Sequence, residues 1–132
     1  MVLVRYDVQL DRYLALLDRT AELWEQMFPD FRDYSLAYQQ LFLGLYASNE
    51  RKVTKGRAGE LLVKAKIKSP LTHARIIEQA IEMGYVTKEK SPGDNRITFV
   101  KLTLELERDI REYLYRSMQM TIEELRPMLA QG

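Results

Sequence analysis

Residues 69–103, SPLTHARIIEQAIEMGYVTKEKSPGDNRITFVKLT, constrain the fold more than any other stretch of the chain. Ser69 is a good helix N-cap, because a short side-chain oxygen can accept from a backbone N–H of the first turn. Pro70 suits the first helical position, where its missing N–H would have no intrahelical partner. Gly84 suits the C-terminal stop, so the spacing predicts a helix from about Pro70 to Met83. At about 100° per residue, Ala74, Ile76, Ile77, Ala80, Ile81 and Met83 share one broad apolar side. Thr72, Arg75, Glu78, Gln79 and Glu82 share the other side, which is expected to face out. The runs YVTKEK and RITFVKL that follow are rich in strand formers, and the SPGDN between them consists of turn formers. They are expected to pair as a hairpin over about residues 85–102.

The rest of the chain limits what can surround this unit. At 132 residues with 46% hydrophobic content, one folded domain with a real core is expected. With no cysteine and one histidine, the chain offers no disulfide framework, thiolate nucleophile or metal cage. No metal or cofactor is expected. The longest apolar run, LFLGLYA, is far below the roughly 20 residues of a membrane span, so a soluble cytoplasmic protein without a membrane partner is expected.

The net charge of +1 hides a segregation. Residues 1–50 carry −4, residues 51–101 carry +7 and residues 102–132 carry −2. Seven of the cations fall between Arg51 and Lys68, with Glu60 as the only acid among them. A local field of that sign attracts a polyanion even from a nearly neutral protein, although a solvated charged face has the same composition.

Upstream, Leu10, Tyr13, Leu14, Leu17, Ala21, Trp24 and Phe28 step by three and four, which predicts an amphipathic helix from Val8 to Phe28, stopped by Pro29. A second helix is expected from about Tyr34 to Ser48, capped by Asp33 or Ser35 and closed by Asn49. RKVT reads as a short strand, and Thr54 as the cap of a third helix near residues 56–66, where Gly56 and Gly59 weaken the helical signal. Downstream, Leu106, Ile110, Tyr113, Leu114 and Met118 repeat at helical spacing over residues 104–118. Thr121 with Glu124 forms a capping-box pattern that would open a separate last helix.

Helix, turn, helix and hairpin in this order make a winged helix. The expected fold is mainly α with a small β-hairpin wing, flanked by N- and C-terminal helices. A short helix presenting Thr72 and Arg75 can enter a major groove, where base edges are distinguishable. A hairpin whose tip offers Lys88, Lys90 and Arg96 would then reach the neighbouring minor groove, where the concentrated phosphate potential stabilises a guanidinium.

The spacing also resembles that of the multiple-antibiotic-resistance (MarR) type of winged-helix transcriptional regulator. The shared features are Ser69-Pro70 opening the helix, Arg75 three residues past Thr72, Gly84 nine residues later, Asp94-x-Arg96 at the wing tip, and Leu102-Thr103 at the hand-over to the next helix. The match covers residues 69–103, whereas the segment from Thr54 to Ser69 is about four residues longer than the family's usual first helix of the motif. The resemblance implies a single domain over residues 1–132, with about 50–103 as a DNA-binding lobe and 1–49 with 104–132 as a helical dimerisation region. It implies a homodimer on a pseudo-palindromic operator of double-stranded DNA, and in many members release of DNA when a small aromatic or anionic effector binds. Cysteine-based oxidation sensing, used by some relatives, is closed to this sequence.

The candidate DNA-binding residues are Lys55, Arg57, Lys68, Ser69, Thr72, Arg75, Gln79, Lys88, Lys90, Asp94 and Arg96, each with a plainer reading beside it. Arg75 either takes a guanine or phosphate bidentately or forms a surface salt bridge with Glu78 or Glu82. Thr72 touches a thymine methyl or a phosphate, or only faces solvent. Gln79, one turn beyond Arg75, is a further candidate for a phosphate. Asp94 either orients Arg96 or is an ordinary turn residue. His73 falls on the apolar side and reads as a packed, half-buried histidine rather than a base reader or pH sensor. Tyr13, Trp24, Phe42 and Tyr46 read as core or dimer interface. The apolar stripes at both ends either meet a second subunit or pack on one another within a monomer.

Three functional classes are therefore open: a sequence-specific DNA-binding regulator, a winged helix used as a protein-interaction module, and an enzyme. A basic recognition face favours the first over the second. Against the third, the chain has no phosphate-cradling glycine loop, His-Glu zinc signature, nucleophile elbow or paired carboxylate, so no catalytic residue is assigned.

Overall fold

A computed structural model describes residues 2–31 and 33–130. The elements run in the order α1 (Val2–Met27), a 3-10 turn (Pro29–Phe31), α2 (Ser35–Tyr46), a 3-10 turn (Asn49–Arg51), β1 (Lys52–Thr54), α3 (Lys55–Lys64), α4 (Pro70–Glu82), β2 (Val86–Ser91), β3 (Asp94–Leu102) and α5 (Leu104–Ala130). The architecture is mainly helical with one small antiparallel sheet of order β1-β3-β2, a winged helix as expected. The chain divides into two compact units, Met1–Asp30 with Arg111–Gly132, and Phe31–Ile110.

The winged-helix unit, Phe31–Ile110, is closed around its own aromatic and aliphatic core. Phe31 packs on Tyr38 with ring centroids 4.0 Å apart, and on Phe42 at 5.4 Å and Tyr85 at 5.0 Å. Leu41, Phe42, Leu45, Ala58, Leu62, Ile76, Ile77, Ala80, Val86 and Val100 are buried. Gly44 lets α2 and α3 approach closely: a Cβ there would lie 2.6 Å from the Leu61 methyl carbons.

Local chemistry explains most element boundaries. Thr54 Oγ1 accepts from the Arg57 N–H and caps α3, and Ser69 Oγ accepts from the Thr72 N–H and caps α4. Gly84, at φ 81°, ends α4 with Tyr85 N–H bonded to the Ala80 carbonyl and Gly84 N–H to that of Ile81. The end of α3 repeats this double bond through Ile67 to Leu62 and Lys66 to Val63, but with Lys66 rather than glycine at φ 69°. Thr103 caps α5: its hydroxyl accepts from the Leu106 N–H, and it also lies 3.1 Å from the Gly84 carbonyl oxygen.

Four expectations are corrected. The first helix begins at Val2 rather than Val8. The second ends at Tyr46, before Asn49, and neither Asp33 nor Ser35 caps it; Tyr34 occupies the cap position without a side-chain bond. Asn49–Arg51 instead turns through two residues at positive φ, Glu50 and Arg51, held by the Arg51 side chain on the Tyr46 carbonyl and on Glu107. The last two predicted helices are one, because Thr121 Oγ1 donates to the Ser117 carbonyl one turn back rather than capping a new start. Ala74 and Met83 are exposed rather than on the buried side of α4.

The terminal-helix unit is packed around Trp24, whose ring meets Phe28 at 4.4 Å and Tyr113 edge-on at 5.1 Å. Arg12 and Glu124 form an ion pair at 3.6 Å. Leu16, Leu23, Trp24 and Phe28 are buried, but Leu10, Tyr13, Leu14 and Leu17 of the predicted stripe are between 47% and 61% exposed. On α5, Leu114, Tyr115, Met118, Ile122 and Leu125 are exposed as well.

Candidate nucleic-acid interface

The buried side of α4 is fixed by its core side chains, by Tyr38 and by His73. Ile76, Ile77 and Ala80 are buried. The Tyr38 hydroxyl lies 3.2 Å from the Ile76 carbonyl oxygen and 3.1 Å from Gln79 Oε1, so α2 holds the middle of α4. His73 is half-buried, with Nε2 hydrogen-bonded to the Ile67 carbonyl and its Nδ1 edge towards Gly59, which ties α4 to the preceding turn. This is the packed histidine the sequence suggested.

Arg75 is exposed and makes no ion pair among the described residues; the alternative salt bridge to Glu78 or Glu82 is not formed. Glu78 pairs instead with Lys88 of β2. Lys88 lies opposite Val100 in mid-strand, not at the wing tip where the sequence put it, because the turn is shorter than expected. Ser91 pairs with Asp94 across Pro92-Gly93, so Asp94 and Asn95 belong to β3. Lys88 shares its side of the hairpin with buried Val86, and from there it reaches α4. An exposed pair of this kind is worth only about 0.2–1 kcal/mol, so it adds little to stability.

At the tip, Arg96 is held in a fork. Its Nε lies 3.1 Å from Asp94 Oδ1 and its second guanidinium nitrogen 3.2 Å from Oδ2, while its backbone N–H also donates to Oδ1. Its side chain is nevertheless 91% exposed. The hydrogen bonds from the Arg96 side chain, then that from its backbone, hold the Asp94 carboxyl below its ordinary range. The planar fork fits a carboxylate, so Asp94 fixes the direction of the guanidinium without burying it. Lys90 is exposed beside the tip, 3.3 Å from the Asn95 carbonyl oxygen.

The basic segment 51–68 splits into committed and free cations. Arg51 is bonded to Glu107 and stacked 4.1 Å above the Tyr46 ring. Lys52 crosses the sheet over Phe99, bridging Glu50 at 3.3 Å and Glu89 at 3.4 Å, and chiefly the Glu50 hydrogen bond raises its pKa. Arg57 pairs with Glu60 at 2.7 Å. Lys55, Lys64, Lys66 and Lys68 are exposed and make no ion pair among the described residues. Of these, Lys64 and Lys66 were not singled out by the sequence reading, although the charge run contains them. Ser69 is occupied as a cap, Thr72 is half-buried, and Gln79 is exposed but engaged through its carbonyl oxygen with Tyr38.

Among the described residues, no group of three or more His, Cys, Asp or Glu could hold a metal ion, and no helix is long and apolar enough to cross a membrane. An open concavity of about 900 Å³ beside the 3-10 turn at Asn49–Arg51 presents Arg51 and Glu107, which are bonded to each other.

No family sequence model matches the chain, and no curated protein sequence does. Solved structures do. A MarR family transcriptional regulator from Streptomyces coelicolor, solved in complex with DNA, is 20% identical over 92% of this chain and 73% of its own, with a TM-score of 0.53. AbfR in its reduced form bound to DNA is 20% identical over 99% and 97% of the two chains, TM-score 0.53. A mutant MarR from E. coli complexed with operator DNA is 13% identical over 87% and 78%, TM-score 0.55. AbfR has also been solved with a disulfide formed, chemistry closed to a chain without cysteine. The helix order, the three-stranded sheet and these superpositions together establish that the chain has the MarR-type winged-helix fold.

Proposed function

We propose that this protein is a sequence-specific, double-stranded DNA-binding transcription regulator, which acts as a homodimer on a pseudo-palindromic operator. The observation that carries this reading is the pairing of two exposed guanidinium groups on rigid supports. Arg75 stands free of ion pairs on a helix tethered by Tyr38 and His73, and Arg96 is aimed by Asp94 at the end of the hairpin. In this reading α4 enters the major groove and the hairpin meets the minor groove. Lys55, Lys64, Lys66 and Lys68 supply phosphate contacts that position the protein without selecting sequence. The exposed apolar side chains of α1 and α5 supply the subunit interface in this reading, supported by the number of large apolar residues left in water on the two helices. DNA-bound structures of proteins with the same fold support the choice of partner.

The test is selection of bound sequences from a random duplex library at two salt concentrations. The expected result is an inverted repeat with half-sites about one helical turn apart, and binding that weakens steeply with salt. Enrichment of no motif at either salt would replace this reading with the protein-interaction module.

A further inference from the structure

Leu71, in the first turn of α4, leaves 72% of its surface in solvent. The core does not need it, because Ile76, Ile77 and Ala80 already fill the buried side. Leu71, Ala74, Arg75 and Glu78 stand at i, i+3, i+4 and i+7, and all four are exposed, so they form one outward stripe. Lys88 draws Glu78 towards the hairpin. What remains at the front of the helix is two apolar side chains beside one guanidinium.

The surroundings decide what such a stripe fits. Lys64, Lys66 and Lys68 are exposed in the chain just before α4, and Lys55 stands at the start of α3. An apolar protein partner would have to desolvate these ammonium groups, whereas a polyanion neutralises them. The one apolar group that a DNA major groove presents is the C5 methyl of thymine, and small apolar side chains contact it. Thr72, the other candidate for such a contact, is half-buried and less available than Leu71.

We propose that Arg75 takes a guanine and that Leu71, with Ala74 beside it, determines specificity by packing on thymine methyl groups next to that guanine. The inference rests on the DNA-binding reading and adds a base preference to it. Four residues of helix rise by about 6 Å, which spans roughly two base-pair steps of 3.4 Å. Each half-site should therefore contain an A·T pair within about two base pairs of the guanine, its thymine methyl facing α4.

The experiment uses the selected operator and a set of duplexes in which single thymines in each half-site are replaced by deoxyuridine. This removes the methyl and leaves every hydrogen-bonding group in place. The expected loss for the wild-type protein is about fourfold for each methyl contacted. With Leu71→Ala that loss should shrink towards twofold or less, while dependence on the guanine persists. Wild-type binding indifferent to deoxyuridine at every position near the guanine would overturn the thymine assignment and leave the DNA-binding reading standing. An undiminished deoxyuridine effect in Leu71→Ala would overturn the role of Leu71. A wild-type protein with no sequence preference would remove both readings, a result distinguishable from the other two.

Discussion

The two units of this chain treat their apolar residues differently. In the winged-helix unit, Phe31, Tyr38, Leu41, Phe42, Leu45, Ile76, Val86 and Val100 are almost completely withdrawn from water. In the terminal-helix unit, the same period of three and four that buries Leu16, Leu23 and Trp24 leaves Leu10, Tyr13, Leu14 and Leu17 outside, together with Met118 and Ile122 of α5. Hydrophobic periodicity thus reports a face that is destined to be covered, not what covers it. The winged-helix unit buries such a face in its own core, and the terminal-helix unit leaves one in water, which the homodimer reading assigns to a subunit interface.

The sharpest way to break this comparison is to charge the exposed face. Leu14→Glu would place a carboxylate in the proposed subunit interface, and we expect association to weaken by at least about 2 kcal/mol, or roughly thirtyfold. Sedimentation velocity should then show a monomer with its helical signal intact. A variant with unchanged mass and unchanged concentration dependence would show that this face is not the interface.

A smaller effect is expected inside the self-contained unit. Tyr38→Phe removes a hydroxyl shared between Ile76 and Gln79, at a cost of about 1 kcal/mol near neutral pH. Burial, with Tyr34 as a lesser cause, pushes the Tyr38 pKa from 10.0 up to about 12. The folded hydroxyl therefore stays protonated where the unfolded one ionises. Its contribution is fully present below pH 10 and is lost as pH rises from 10 to about 12. Denaturation curves over that window should fall more steeply for the wild type than for Tyr38→Phe. Parallel curves would place the alkaline loss elsewhere.

The smallest expected effect compares the two helix ends on either side of the Ser69 cap. Gly84 and Lys66 occupy equivalent left-handed positions, but only one is glycine. Lys66→Gly should relieve about 1–2 kcal/mol of Cβ strain and give back about 0.4–1 kcal/mol through the freer unfolded chain. A net gain of about 0.5 kcal/mol, seen as a small rise in Tm, is the expected result. A lower Tm would mean that the lysine side chain has a stabilising contact that outweighs the strain.

These contrasts also mark how far the sequence carries. Ser69-Pro70, Gly84 and the turn before Asp94 act locally, so α4 and the hairpin are legible from residue types alone. The fold class follows from their order. What escaped is mostly non-local: Lys88 on Glu78, Gln79 on Tyr38 and Arg51 on Glu107 join residues that only the folded chain brings together. The Thr121 pattern misled because a threonine can satisfy its hydroxyl on the preceding turn as readily as it can cap a new one. Leu71, four residues before Arg75 on the same stripe, was assigned to neither side of the helix, because its exposure depends on which side chains the folded core already holds.

The most direct test of α4 as the sequence reader is the ratio of affinities for the selected operator and a scrambled duplex, measured for the wild type and Arg75→Ala at one salt concentration. We expect the substitution to cost about 1–3 kcal/mol on the operator in each half-site, with little change on the scrambled duplex, so that the ratio collapses. An Arg75→Ala protein that retains the full wild-type ratio would contradict the assignment of α4 as the element that reads DNA.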